Sequence, residues 1–313
     1  MKILKHLAIL AFCGLASLSI TPAFAQEDDI PDFDGGIEDT ARLPPLRSWM
    51  SPEIVGAWAQ GYQGRYSHIT LVDDFRSRSV IAGNLGTGNK RLRHGEWTRL
   101  VSDMISPAAG LTSIDFSSQR AIALKPRVLN VINLSYGMEA APGYSGNLWG
   151  LRETSIVSHA TQGLAVVVKA AGNSSVAIGS VNGAGKLDYL NSSLTGTSAI
   201  FVGALNKNGT VEAPASMASY SNFAGSNPLV QDRFLSVGVR GDLTGLYGTS
   251  FAAPIVSGYA AVMGSKFRTA TPTQIANQLL DTARTDTILG YDVAVHGQGE
   301  ASIARALAPA AIN

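Results

Sequence analysis

A chain of 313 residues that is 45% hydrophobic and carries 33 glycines is long enough for one large domain or two small ones. It is too apolar and turn-rich to be disordered or fibrous. A formal net charge of +1 gives no electrostatic case for nucleic acid or an anionic membrane as partner, and the single cysteine, Cys13, excludes a disulfide framework.

Residues 1–25 read as a signal peptide. Lys2 and Lys5 form a basic start, Leu7 to Ile20 is largely apolar, and Ala23-Phe24-Ala25 is a small-x-small cleavage site before Gln26. The apolar run is too short and wrongly flanked to span a bilayer, and no later stretch is long and apolar enough. The expectation is an exported chain, periplasmic or extracellular, with no membrane segment once the signal is removed. Bulky Phe12 before Cys13 argues against a lipoprotein cleavage box. Losing the signal lowers the basic residues from 24 to 22 against 23 acidic ones, a net of −1.

Residues 26–45 read as an acidic, flexible lead-in. Gln26 to Asp39 carries seven acidic residues and little apolar content, and Leu43-Pro44-Pro45-Leu46 stiffens its exit. Residues 46–313 read as one domain. Short apolar runs there alternate with helical patterns, the rhythm of a parallel α/β sheet. The strands expected are Ile69–Val72, Val128–Leu134, Leu164–Ala171, Ile200–Leu205 and Phe234–Val239. Their near-continuous apolar runs suit a sheet covered on both faces. Trp97, Leu100, Val101, Met104 and Ile105 mark one face of a helix that Pro107 ends. Thr271-Pro272 starts another, with Ile275, Leu279, Leu280 and Ala283 inside. The fold class is therefore α/β, three layers, with a mainly parallel central sheet flanked by helices.

Chemistry is expected at the carboxyl ends of such strands. The first strand ends in Asp73-Asp74. An isolated Asp there would more often cap a turn. His94-Gly95 opens the first amphipathic helix, where the helix dipole disfavours the imidazolium and leaves the ring free to accept a proton. His68 precedes a strand, His159 is mid-helix and His296 is in a C-terminal loop; these read as surface or satisfied polar groups. The valine-rich strand runs out at Ala171-Gly172-Asn173, where Asn173 either closes a turn or offers its amide to a developing oxyanion. Gly248-Thr249-Ser250-Phe251-Ala252-Ala253-Pro254 sets a serine on a tight turn before a helix of small residues. Its hydroxyl needs a base to become a nucleophile.

Together these residues resemble the subtilase family of serine peptidases, from about residue 50 to 308. The family order Asp…His…Ser appears here as Asp73, His94, Ser250. Val131-Ile132-Asn133-Leu134-Ser135-Tyr136-Gly137 is similar to the family's substrate-binding strand, and Ala171-Gly172-Asn173 to its oxyanion segment. Val202-Gly203-Ala204, Ala218 to Asn222 and Gly297-Gln298-Gly299 are fainter echoes. The resemblance implies a subtilisin-like fold and an exported serine endopeptidase. Asp73, His94 and Ser250 would be the triad and Asn173 the oxyanion donor beside the Ser250 N–H. Ser135, Tyr136, Gly137, Ala171 and Gly172 would bind a protein or peptide substrate.

The chain departs from the family pattern at Phe75, where glycine is usual after the aspartates, at Trp97 in place of a second histidine, and at Phe251 and Ala253. None removes a catalytic group. Two other readings stay open: a catalytically silent subtilase fold used for binding, which would explain the Asp-Asp-Phe turn, and a serine hydrolase acting on esters, which would use the same triad. The chemistry needs no cofactor. Calcium is frequent in the family, but no acidic loop shows convincing ligand spacing, so metal sites are unassigned. The stretch between signal and domain is short for the family's folded pro-domain, so either the chain folds unaided or a separate protein inhibits or chaperones it.

Overall fold

The computed structural model describes residues 43–144 and 149–312. The signal peptide and nearly all of the acidic lead-in lie outside the described residues.

After α1 (Glu53–Ala59) the chain enters β1 (Ser67–Asp73). A short antiparallel hairpin follows, β2 (Ile81–Gly83) with β3 (Lys90–Leu92), and then α2 (His94–Ile105). The sheet continues through β4 (Gly110–Asp115) and β5 (Leu129–Leu134). Next come β6 (Glu139–Ala140), α3 (Leu151–Thr161) and β7 (Val166–Ala170). β8 (Leu187–Asp188) pairs back on β6 ahead of α4 (Tyr189–Leu194), and β9 (Ile200–Leu205), α5 (Pro228–Gln231) and β10 (Phe234–Gly238) follow. α6 (Gly241–Thr244), α7 (Ala253–Lys266), α8 (Pro272–Asp281), α9 (Val293–His296) and α10 (Ile303–Ala306) complete the order. Six strands form one parallel sheet in the order β10-β9-β7-β5-β1-β4.

Side chains alternate across a strand, and here the alternation feeds two cores. Ile69, Leu71, Val131, Val166 and Val168 face one side, where α1, α2, α7 and α8 pack. Val72, Ile132, Leu134 and Val167 face the other, against Ile156 and Ala160 of α3 and Leu190 and Leu194 of α4. Helix, sheet and helix make the three layers expected. Fully burying each such side chain stabilises the fold by roughly 1.5–3 kcal/mol.

The five expected strands are present, Ile200–Leu205 with its expected ends and the others with ends shifted by at most two residues. The sequence reading missed β4, an edge strand whose side chains are only half-buried. Its Gly-Leu-Thr-Ser-Ile-Asp run lacks the apolar density of the inner strands. α2 covers the expected span, with Trp97, Val101 and Ile105 buried. α8 starts with the expected cap, a capping box between Thr271 and Gln274. It ends at Asp281, so Ala283 lies beyond it. His68 sits inside β1, its Nε2 2.8 Å from Thr112 Oγ1. His296 closes α9 and is buried. Among the described residues no helix is long and apolar enough to cross a membrane.

Candidate active site

Asp73 is the last residue of β1 and is wholly buried. Its Oδ1 accepts the Asp74 backbone N–H at 2.7 Å, and its Oδ2 accepts the Thr98 hydroxyl at 3.0 Å. His94, the first residue of α2, approaches the same Oδ1 with Nδ1 at 2.6 Å. The carboxylate is the acceptor here, so the network assigns the ring proton to Nδ1 and leaves Nε2 its lone pair.

Asp74 has a different environment. Its Oδ1 accepts the backbone N–H groups of Arg76 (3.2 Å) and Ser77 (2.8 Å), and its Oδ2 accepts the Ser77 hydroxyl. Slight burial pushes its carboxyl up, but the bonds from Ser77 and Arg76 outweigh that and hold it below the usual value. It is a turn cap. Phe75 is tied down by Asp115 Oδ2, which accepts its N–H at 2.9 Å. The Phe75 ring fills the space that Gly95 leaves: a Cβ on Gly95 would sit 2.9 Å from Phe75 Cε1 and 2.7 Å from the Asp74 carbonyl. The bulky residue at the turn is thus matched by a glycine at the helix start.

Ser250 lies in a 3-10 turn, Thr249–Phe251, immediately before α7. Twelve consecutive residues of α7, Ala253 to Gly264, are buried. Such a helix has no polar face and fits only inside the protein. Gly248, at φ 123°, enters the turn in a conformation that L side chains rarely adopt. The Ser250 hydroxyl donates to the Ser135 carbonyl at 3.1 Å, and Ser135 Oγ donates to the Ser250 carbonyl at 2.9 Å. A buried chain backs this pair, Ser257 Oγ donating to Asn133 Oδ1 (3.1 Å) and Asn133 Nδ2 to Ser135 Oγ (2.9 Å). The His94 ring lies 5.6 Å, centroid to centroid, from that of Phe251, the residue after Ser250. Among the described residues no hydrogen bond joins His94 to Ser250.

Asn173 follows β7 and is exposed. Its Oδ1 accepts both the Thr249 backbone N–H, at 2.8 Å, and the Thr249 hydroxyl, at 3.0 Å. A backbone N–H can only donate, so this contact assigns the oxygen and turns Nδ2 away from it. Thr249 Oγ1 also accepts the Gly172 N–H at 3.0 Å. Asn222 braces the same segment from behind. Its Nδ2 donates to the Ala171 carbonyl (3.0 Å), its Oδ1 accepts Ser174 N–H (2.9 Å), and its own N–H donates to the Gly172 carbonyl (2.8 Å). The backbone of Ala171 and Gly172 is therefore engaged within the protein; Ala171 is wholly buried, out of reach of a ligand, and only Gly172 is partly exposed.

Ser135, Tyr136 and Gly137 continue from β5. Among the described residues the backbone groups of Tyr136 and Gly137 make no hydrogen bond. The Tyr136 hydroxyl meets Glu153 Oε1 at 3.2 Å, and burial and then the Glu153 charge hold it protonated, above the usual tyrosine range. Asp188 fills the space beside Gly137, where a Cβ would lie 2.7 Å from Asp188 Oδ2, and it is paired with buried Lys169 at 3.1 Å.

The fold thus joins Asp73 with His94, Ser250 with Ser135, and Asn173 with the turn that carries Ser250. Thr249 and Asn222 stand in segments singled out from the sequence, but their bracing roles, like those of Thr98 and the Asn133–Ser257 link, rest on contacts that only the fold makes. Asn133 did leave a signal, a polar residue inside a near-continuous apolar strand. Among the described residues no group of three or more His, Cys, Asp or Glu side chains is placed to hold a metal.

The family model described as "Subtilase family" matches residues 96–300, about two-thirds of the chain. The matched span includes Asn173 and Ser250 and begins after Asp73 and His94. No curated protein matches the chain. Solved structures do. The prenylagaramide maturation protease PagA is 18% identical with a TM-score of 0.53, over 82% of this chain and 98% of that one. A lanthipeptide protease is 17% identical, TM-score 0.52, over 81% and 91%. MycP1 from the ESX-1 type VII secretion system is 19% identical, TM-score 0.53, over 86% and 88%. At these identities the likeness concerns the fold, and it agrees with the parallel six-stranded sheet. The family match over most of the domain decides the assignment: the chain belongs to the subtilase family of serine-type peptidases.

Proposed function

We propose that this subtilase is an exported serine endopeptidase that hydrolyses peptide bonds through an acyl-enzyme. Asp73, His94 and Ser250 form its triad, and the Asn173 amide and the Ser250 N–H form its oxyanion site. The observation that carries the reading is the 2.6 Å contact between His94 Nδ1 and the buried Asp73 carboxylate at the end of β1. It fixes the tautomer a general base needs and provides charge to stabilise the imidazolium.

The Ser250 hydroxyl turns about its side-chain bond from the Ser135 carbonyl to His94 Nε2. His94 takes the proton as Oγ attacks the carbonyl carbon of the scissile bond. The carbonyl π pair moves onto oxygen, which Asn173 Nδ2 and the Ser250 N–H stabilise. When the tetrahedral intermediate collapses, the carbon–nitrogen bond breaks and His94 gives its proton to the leaving amine. Water, deprotonated by His94, then cleaves the acyl ester and restores Ser250. No step calls for a cofactor. Tyr136 and Gly137 pair through their free backbone groups with the substrate as an added strand, a mode tolerant of sequence, while Gly172 faces it and buried Ala171 only supports that segment from within. The basic, apolar, small-x-small start of the chain supports export.

Peptide turnover by wild type and Ser250→Ala tests this. The proposal expects wild-type cleavage of a peptide bond, lost in Ser250→Ala to roughly 10³–10⁴-fold over the uncatalysed rate. Turnover confined to esters, or binding of peptide without turnover, would favour a different use of the fold.

A further inference from the structure

Beyond the carboxyl ends of β9 and β10 lies a groove of about 610 Å³ that the chemistry above leaves unused. Tyr220 and Tyr247 line it together with Lys207, Arg240 and Asp242. Both tyrosines are tied to the proposed site. The Tyr220 carbonyl accepts the Ser175 N–H at 3.1 Å, two residues past Asn173, and its hydroxyl lies against the Gly248 backbone. Tyr247 immediately precedes Gly248; it is 62% exposed, and its ring lies over Gly241.

The charges in the groove are unequal. Arg240 grips the Asp242 carboxylate through two bonds, of 2.9 and 2.6 Å, so that acid is already neutralised. Lys207 is half-buried, and among the described residues its ammonium has neither an ion-pair nor a hydrogen-bond partner. An ammonium at the edge of a groove with no partner of its own is available to pair with an acidic group on a ligand.

We propose that this groove binds the substrate residues that follow the scissile bond and selects an acidic side chain there through Lys207. The proposal rests on the peptidase reading above. Residues before the bond lie along Tyr136 and Gly137 at the end of β5. The strand order β10-β9-β7-β5 sets the groove on the other side of the Asn173 turn, which follows β7. Neighbouring strands lie about 4.8 Å apart and an extended chain advances about 3.3 Å per residue, so crossing from β7 to β9 and β10 takes the second or third residue past the bond to the groove. Tyr247 offers its exposed ring to the side chain before it.

The test uses internally quenched peptides that differ only in carrying Glu or Lys at the second and third positions past the cleaved bond. A peptidyl p-nitroanilide, with nothing past that bond, is the reference substrate. Wild type is expected to favour the Glu peptide in kcat/KM by about tenfold at low salt, with the ratio shrinking as salt screens the contact. Lys207→Gln should flatten the ratio and Lys207→Glu should invert it. Each ratio is taken within one enzyme, so a change in stability or active fraction cancels. Anilide turnover with equal Glu and Lys ratios, or a preference that survives Lys207→Glu, would overturn the groove assignment alone. Failure to turn over the anilide or either peptide would overturn the peptidase reading and this inference with it.

Discussion

Thr249 donates to Asn173 Oδ1 from both its backbone and its hydroxyl. An amide held in this way keeps its N–H₂ group oriented before substrate arrives, and pre-orientation is what makes an oxyanion donor effective. Asn173→Ala should therefore lower kcat by roughly 10²–10³-fold, about 2.7–4 kcal/mol, with little change in KM. If Asn173 only closed the turn, melting temperature would fall and activity would fall in step with it. Steady-state kinetics and a thermal melt on the same preparation separate the two. The aspartates give a second comparison. Asp73 is buried on His94, and Asp74 caps an exposed turn. Asp73→Asn should cost about 10⁴-fold in kcat by spoiling the histidine tautomer, and Asp74→Asn far less. The reverse ranking would mean that Asp74 is the working acid.

At the scale of elements, α7 illustrates how closely the layers pack. A Cβ on Gly258 would lie 2.5 Å from Ile105 Cγ2 on α2. Gly258→Ala gains about 0.8–1 kcal/mol of helix propensity, but overpacking costs about 1–3 kcal/mol. The clash should win, and urea unfolding should show net destabilisation. Gly56 in α1 has nothing within 4 Å of an added Cβ, so Gly56→Ala should stabilise by about 0.5–1 kcal/mol. α9 makes the stability depend on pH. Burial holds the His296 imidazole below the usual 6.5, against the opposing pull of Asp292. The unfolded chain then binds a proton that the folded chain refuses, so stability is complete above about pH 6.5 and is lost as pH falls. Melts from about pH 8 to about pH 5 should show this decline, and His296→Gln should make it shallower. Some slope should remain, because burial also holds His68 low.

At the scale of the whole molecule, the buried sheet was legible in the sequence because strands covered on both faces must be apolar throughout. Val166-Val167-Val168 could hardly be anything else. β4 was not legible, because an edge strand with one half-exposed face has no such constraint. The ends of the site were visible in the same way. Asp73 terminates an apolar strand, His94 opens an amphipathic helix, and Ser250 precedes an all-buried one. The contacts of Thr98, Thr249 and Asn222 were not visible, since each acts on residues that are remote in sequence or that only the folded turn brings near.

The proposed activity depends most on Ser250 being a nucleophile that the surrounding residues activate. Intact mass and peptide mapping after treatment with a fluorophosphonate measure this directly. One adduct on Ser250 is expected in wild type, none in Ser250→Ala, and much slower formation in Asp73→Asn. A wild-type chain that is folded yet unmodified, or an adduct that persists in Ser250→Ala, would contradict the account.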